Sequence, residues 1–209
     1  MPPSGQTIWM IIVVDLVTES KKSFEALIDQ LSQSPVEGMV IDLRFNMGGS
    51  SAICEPMVAC LIDEPVPTPT MKYRHYVGAH EAWGRETIWE TVAGEVEPRD
   101  GPRYDGPLVV LTGGLTNSSA EDFAIELRAA GRARLVGQRT AGGAGNALTT
   151  SLPGGGMLRV STFTALTPDG EEYVGTGIEP DVLVRATPDD LARGRDPVLE
   201  RALELLGAN

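Results

Sequence analysis

Cysteine and histidine are scarce in this chain, which has two of each among 209 residues. The two thiols, Cys54 and Cys60, are too few for a disulfide framework, and no histidine or further cysteine lies at zinc-ligand spacing around them. Residues six apart point to different faces of a helix, so these thiols are poorly placed to bridge. We therefore expect two buried free thiols, no metal site and no cofactor.

Long apolar runs and positive charge are also in short supply. The apolar run at residues 8–14 is too short to cross a bilayer and lacks the flanks of a signal peptide, so it predicts a buried strand. The 29 acidic and 17 basic side chains give a formal net charge of −12, which repels phosphate backbones. We expect a cytoplasmic protein that binds neither membranes nor nucleic acids.

The remaining composition is that of an ordinary globular protein, with 42% hydrophobic and 22% charged residues. Strand-like apolar runs alternate with helix-like stripes, which predicts an α/β domain with a mixed, largely parallel central sheet. The predicted strands are residues 38–43, 108–111 and 134–136, and the predicted helices are residues 52–61, 119–130 and the segment after Asp196-Pro197. A single domain over residues 1–209 accommodates all of them.

Two segments depart from this alternation. Residues 64–107 are rich in proline, glycine and acidic residues, and we interpret them as an irregular excursion with one strand around Tyr73. Residues 147–152 and 157–165 flank Pro153-Gly154-Gly155-Gly156, which predicts a β-hairpin.

Three loops at strand ends carry residues suited to chemistry. The glycine pair Gly48-Gly49 follows one strand, and its N–H groups suit an anion or a developing oxyanion, although such a pair is often only a turn. Ser118 lies between a strand and a helix, where a nucleophile would have the N–H of Ser119 beside it. The alternative is structural, because Ser118-x-x-Glu121 is also a capping box. The third loop, residues 137–146, is rich in glycine but has no P-loop or dinucleotide spacing.

Together these loops resemble the catalytic core of the carboxyl-terminal processing (tail-specific) serine protease family, closest to its tricorn core and retinoid-binding-protein-like branch. The resemblance covers residues 36–184 and rests on VEGMVIDLRFNMGGS, GPLVVLTGGLTNSSAEDFAIELRAAGRARLVGQRTAGGAGNA and GTGIEPDV. It implies a Clp protease/crotonase-like spiral ββα core. It also implies that Ser118 is the nucleophile and that Ser119 and the glycine pair, Gly49 before Gly48, form the oxyanion hole.

The chain departs from this family where the serine is usually activated. The position of the larger branch's lysine base is Gly143, the first strand has no histidine, and Val174 stands where the tricorn-like branch has a glutamate. The family's amino-terminal domains and peptide-binding module are not recognised either. The candidates for a base are therefore the two histidines of the excursion, His75 and His80, of which His80 is preferred because an acidic residue follows it. Glu172, two residues from the glutamate position, could orient such a histidine or act alone.

These observations lead to one principal hypothesis and two alternatives. The principal hypothesis is a serine hydrolase, peptidase-like, that attacks a peptide or a small acyl substrate and that can assemble into a homo-oligomer. One alternative is a non-catalytic protein that binds a peptide or small ligand in the same cleft. The other is a crotonase-like enzyme in which the same N–H pair stabilises an enolate.

Overall fold

The computed structural model describes residues 7–13, 15–33 and 36–207. The elements of its first half are β1 (Ile8–Ile12), α1 (Thr18–Leu31), β2 (Gly38–Asp42), α2 (Ser51–Val58), β3 (Val66–Pro67), β4 (Thr70–His75), α3 (Gly78–Ala82), β5 (Ile88–Val92) and β6 (Glu95–Val96). Those of its second half are β7 (Leu108–Thr112), α4 (Ser119–Ala129), β8 (Arg134–Gly137), β9 (Leu148–Ser151), β10 (Met157–Val160), β11 (Phe163–Leu166), β12 (Val182–Leu183), α5 (Pro188–Ala192) and α6 (Pro197–Leu205).

The central sheet has five strands in the order β1-β2-β7-β8-β12, and each neighbouring pair is parallel. Every residue of β2 and β7 is buried, as expected for strands covered on both faces. The predicted α/β class with a largely parallel sheet is confirmed. The finer description, a spiral ββα core, stays a prediction.

Helices cover both faces of this sheet. Helices α1, α2 and α4 bury Phe24, Met57 and Phe123 in the larger core, and α6 buries Val198 and Ala202 in a second core on the other face. The predicted start of α6 is confirmed, because the Asp196 carboxylate accepts a hydrogen bond from the Leu199 N–H at 3.0 Å. Arg44 pairs with both Asp42 and Asp196, which ties α6 to the end of β2.

The first strand is not the buried strand that its composition predicts. In the described part of the chain, β1 pairs only with β2 and is an edge strand, and Trp9, Met10 and Ile12 are exposed. An apolar run indicates a strand but does not indicate whether the strand has a neighbour on each side. Val14, the last residue of the predicted strand, lies outside the described residues.

The segment of residues 64–107 is more regular than predicted. It contains β3, β4, α3, β5 and β6, and β4 lies between β5 and β11 in an antiparallel sheet. The predicted hairpin is correct for β9 and β10, but its second arm ends at Val160. The chain then continues as β11, which pairs with β4 instead, so that Phe163 lies opposite Tyr73.

Cys54 and Cys60 are both buried and unbridged, as predicted. Burial raises the pKa of each thiol. Among the described residues, the helices include none with the length and apolar character needed to span a membrane.

Candidate active site

Ser118 connects the turn after β7 to the first residue of α4, and its backbone is strained. Its φ of 55° and ψ of −130° lie in a region that residues with a side chain rarely adopt. Such strain is of order 1–3 kcal/mol and is typically found at functional sites. The half-buried side chain lines a cleft of about 350 Å³ between α2, α4 and β4.

Glu121 stabilises this turn through hydrogen bonds to its carboxylate. Its fully buried carboxylate accepts hydrogen bonds from the Ser118 N–H at 2.9 Å, the Thr140 hydroxyl at 2.5 Å, and the N–H groups of Gly142 and Gly143 at 2.8 and 3.1 Å. Burial raises the pKa of Glu121, and these four donors oppose that shift. Ser118 and Glu121 form a capping box at the start of α4, in which the Glu121 carboxylate accepts the hydrogen bond from the Ser118 N–H. The capping box that the sequence offered as an alternative is therefore confirmed, and it is compatible with a Ser118 side chain that lines the cleft.

The glycine pair lies directly against Ser118. A Cβ on Gly48 would be 2.7 Å from the Ser118 Cβ and 3.3 Å from the Ser119 nitrogen, and the φ of Gly48 is +96°. The Gly48 N–H donates to the Asn46 Oδ1 at 2.8 Å, so it is not available to a substrate. The prediction that Gly48 serves in the oxyanion hole therefore has no free N–H group to support it.

Gly49 is better placed for that role. It forms a parallel bridge with Leu16, in which Leu16 N–H donates to the Gly48 carbonyl and Ser50 N–H donates to the Leu16 carbonyl. In such a bridge the Gly49 N–H points away from Leu16. Gly49 lines the cleft together with Ser118, and in the described part of the chain its N–H has no hydrogen-bond partner.

The Ser119 N–H is the second available donor. Ser119 is the first residue of α4, where an N–H group has no acceptor within the helix. The next residue, Ala120, already donates to the Asn117 carbonyl at 3.1 Å. The Gly49 and Ser119 N–H groups therefore flank Ser118, at the positive end of the α4 dipole.

In this structure a neighbouring side chain fills the space beside Gly143, the position that aligns with the larger branch's lysine. A Cβ on Gly143 would collide with the Asn117 Oδ1, so the Asn117 side chain occupies the space that a side chain at 143 would need. Val174, at the other family position, packs against the core. The usual proton acceptors are thus replaced here by an amide and an apolar side chain.

His80 and Glu172 do not line the cleft that contains Ser118. His80 lies in α3, beside the exposed ion pair of Arg74 with Glu81. The Glu172 carboxylate accepts a hydrogen bond from the Thr164 hydroxyl on the protein surface. The prediction that either residue activates Ser118 has no contact to support it.

Carboxylates that the sequence analysis did not single out line the cleft instead. Asp122 and Glu126 follow Ser118 at intervals of four along α4, and Ser51 and Glu55 have the same spacing on α2. Residues four apart share one face of a helix, so each helix contributes a polar row to the cleft. The Ser51 hydroxyl donates to Asp122 across the two rows at 3.4 Å. The spacing from Ser118 was the only signal in the sequence, and it is shared by many ordinary helices.

Burial perturbs both carboxylates of the α4 row. The pKa of Asp122 is raised to about 6, chiefly by burial and further by the charges of Glu121 and Glu55, although a 2.9 Å hydrogen bond from the Tyr173 hydroxyl opposes this. The pKa of Glu126 is raised to about 9, by burial first and then by the charges of Asp122 and Glu55. At neutral pH, Asp122 is therefore mostly ionised and Glu126 is mostly protonated.

The sequence pattern of peptidase family S41 matches residues 9–184, and the chain belongs to that family. Its tricorn protease relative in Thermoplasma acidophilum is 25% identical over 97% of this chain and 17% of that protein. The carboxyl-terminal-processing protease of Picosynechococcus is 26% identical over 88% of this chain and 41% of that protein. The chain thus spans less than half the length of these curated relatives. The family predicted from the three loops is confirmed.

Solved structures share the fold. Mature CPAF superposes with a TM-score of 0.78 at 17% identity, covering 96% of this chain and 50% of that one. The photosystem II D1 C-terminal processing protease superposes with a TM-score of 0.64 at 21% identity, covering 91% of this chain and 47% of that one. These likenesses support the fold alone.

Proposed function

We propose that this chain is the catalytic core of a serine-type peptidase in which Ser118 is the nucleophile. The observation that carries the proposal is the position of Ser118, strained at the start of α4 and flanked by the unpaired N–H groups of Gly49 and Ser119. A hydroxyl between two such donors can attack a carbonyl whose oxygen the donors then stabilise. Membership of peptidase family S41 supports a peptide as the substrate.

Asp122 is the proton acceptor in this proposal. It lies one helical turn beyond Ser118 on the same face of α4, and both residues line the cleft. A pKa of about 6 makes Asp122 a stronger base than an ordinary carboxylate while leaving it ionised at neutral pH. Tyr173 and Ser51 hold its two oxygens in place.

The reaction proceeds in two steps. The Ser118 Oγ forms a bond to the substrate carbonyl carbon while its proton moves to Asp122, and the oxyanion accepts hydrogen bonds from Gly49 and Ser119. Asp122 returns that proton to the leaving amine as the C–N bond breaks. A water molecule then hydrolyses the resulting ester, which releases the acid and restores the serine.

A fluorophosphonate probe tests the nucleophile. We expect stoichiometric labelling of the wild-type protein and loss of labelling in Ser118→Ala, measured by intact-protein mass spectrometry. Ser23→Ala, which changes an exposed serine of α1, is the matched control, and we expect this variant to be labelled at Ser118 like the wild-type protein. A folded wild-type protein that stays unlabelled would refute the proposal and favour the non-catalytic binding protein.

The pH dependence of labelling tests Asp122. The base must be deprotonated, so the labelling rate is expected to rise with pH through about 6 and then level off. Asp122→Asn is expected to slow labelling by about 100-fold or more and to remove this step from the profile. A wild-type rate that does not change between pH 5 and 8 excludes Asp122 as the acceptor but leaves Ser118 as the nucleophile.

A further inference from the structure

Glu126 is a buried carboxyl group that nothing in the described residues satisfies. Only 2% of the residue is exposed, it lines the Ser118 cleft, and its Oε2 atom is fully buried without a hydrogen-bond partner. Glu121, on the same helix, is equally buried but accepts four hydrogen bonds. An unpaired buried polar atom is unfavourable unless a ligand completes it.

The surroundings of Glu126 carry negative charge without a counter-ion. Glu55 faces it from α2, and Asp122 lies one turn before it on α4. None of the ion pairs among the described residues involves Glu55, Asp122 or Glu126. The carboxylates of Glu55 and Asp122, with no cation paired to them, favour a positively charged ligand, and such a ligand would in turn favour the ionised form of Glu126.

The distance from Ser118 suits a long side chain. Glu126 is eight residues beyond Ser118, or roughly 12 Å along the helix axis. Side chains on a helix lean toward its N-terminus, which brings the Glu126 carboxyl group back toward the level of Asp122. A substrate residue bound at Ser118 would therefore need an extended side chain to place its charge beside Glu126.

The opposite wall of the cleft is aromatic. Tyr73 of β4 and Phe163 of β11 pack with ring centroids 5.2 Å apart, and both line the cleft with Tyr173. Aromatic rings can pack against the methylene stem of a lysine or arginine, and their faces attract its cationic head. The cleft thus combines an apolar wall for a stem with an acidic end for a charge.

We propose that this cleft is a specificity subsite for a lysine or arginine side chain of the substrate, with Glu126 and Glu55 as the groups that recognise the cation. This inference rests on the proposed function, because the subsite binds the side chain of the substrate residue whose carbonyl carbon Ser118 attacks. It narrows the substrate class to peptides with a basic residue on the acyl side of the cleaved bond.

Two matched phosphonate probes test this subsite. Both are N-acetylated tripeptide diphenyl phosphonates, one ending in the lysine analogue and the other in the norleucine analogue, which has a similar stem without the ammonium group. Ser118 attacks phosphorus and displaces phenol from either probe. We expect the lysine probe to inactivate the wild-type protein at least tenfold faster, with the ratio falling toward one in Glu126→Gln. Glu64→Gln, an exposed residue outside the cleft, is the control and keeps the wild-type ratio.

The outcomes separate this inference from the proposed function. Equal rates for the two probes, or an unchanged ratio in Glu126→Gln, would overturn the subsite while Ser118 remains the nucleophile. If neither probe nor the fluorophosphonate reacts, the proposed function fails. Calorimetric titration with N-acetyl-lysine methylamide then shows whether the cleft binds a lysine side chain. Binding that Glu126→Gln weakens at least tenfold supports the cation site, and no binding to the wild-type protein refutes it. Since every probe is acetylated, recognition of a free α-amino group does not contribute.

Discussion

The geometry around Ser118 depends on a residue with no side chain. Gly48 has a φ of +96°, and its Cα lies so close to the turn that a Cβ would be 2.7 Å from both the Asn117 carbonyl oxygen and the Ser118 Cβ. This close approach keeps the Ser118 turn against the loop that carries Gly49. The role of Gly48 is therefore steric, and its neighbour Gly49 is the proposed N–H donor for the oxyanion.

Gly48→Ala tests this steric role. The added methyl group must displace the Ser118 turn, and alanine disfavours a positive φ, so we expect the free energy of unfolding to fall by about 2 kcal/mol or more. Labelling of Ser118 should slow at least tenfold even in the folded fraction. Gly114→Ala is the matched control, because nothing lies within 4 Å of its Cβ position. If both variants unfold and label like the wild-type protein, the close contact of Gly48 with Ser118 is wrong.

At this scale the sequence indicated some functional residues and concealed others. Ser118, Ser119 and Gly49 stand in loops that each have a common structural alternative, and only the family resemblance of the three motifs together allowed their roles to be predicted. Asp122 and Glu126 could not be predicted, since acidic residues in a helix are usually solvated, and it is the tertiary packing around α4, including that of α2, that buries Glu126 and half-buries Asp122. The prediction of His80 followed from the chemistry of imidazole rather than from any signal of its position.

Among the elements, the parallel strands and their helices were the most predictable. Strands β2 and β7 are continuous apolar runs because helices cover them on both faces, and α4 begins one residue after Ser118 as expected. The errors fall where pairing is non-local. The exposed edge position of β1 and the pairing of β11 with β4 depend on contacts between distant segments, which local periodicity does not encode.

Among the features that were not predicted, the antiparallel sheet formed by β5, β4 and β11 matters most for the cleft. The one strand predicted around Tyr73 is confirmed as β4, and its Met71 and Tyr73 form a wall of the cleft, but the pairing of β4 with β5 and β11 is not predicted. Alternate residues of a strand share one face, so the spacing of these two residues is that of a strand with one side toward the cleft. A segment rich in proline and glycine thus contributes a wall of the cleft that its composition does not reveal.

For the whole molecule, the acidic cleft links function to stability. The folded protein holds Glu126 and Asp122 with pKa values of about 9 and about 6, against ordinary values of 4.5 and 3.8 in the unfolded chain. The folded state therefore binds more protons than the unfolded state between about pH 4 and 9. The stability that these two groups contribute is fully present below this range and is lost as the pH rises through it.

We expect the free energy of unfolding, measured by urea titration, to be greater at pH 5 than at pH 8.5. Each fully buried group contributes a slope of at most about 1.4 kcal/mol per pH unit. Glu126→Gln removes the group with the larger shift while keeping its shape. This variant should match the wild-type protein near pH 5, exceed its stability at pH 8.5 and show a flatter profile.

The exposed carboxyl group of Glu64 provides the control, since Glu64→Gln makes the same change in net charge outside the cleft. Its profile should parallel that of the wild-type protein, because the slope arises from burial beside Glu55 and Asp122 rather than from the total charge of −12. A wild-type stability that rises from pH 5 to 8.5, or an equal flattening in both variants, would contradict a buried Glu126. A basic ligand in the cleft should act in the opposite direction, because a cation beside Glu126 favours its ionised form and stabilises the folded protein most at high pH.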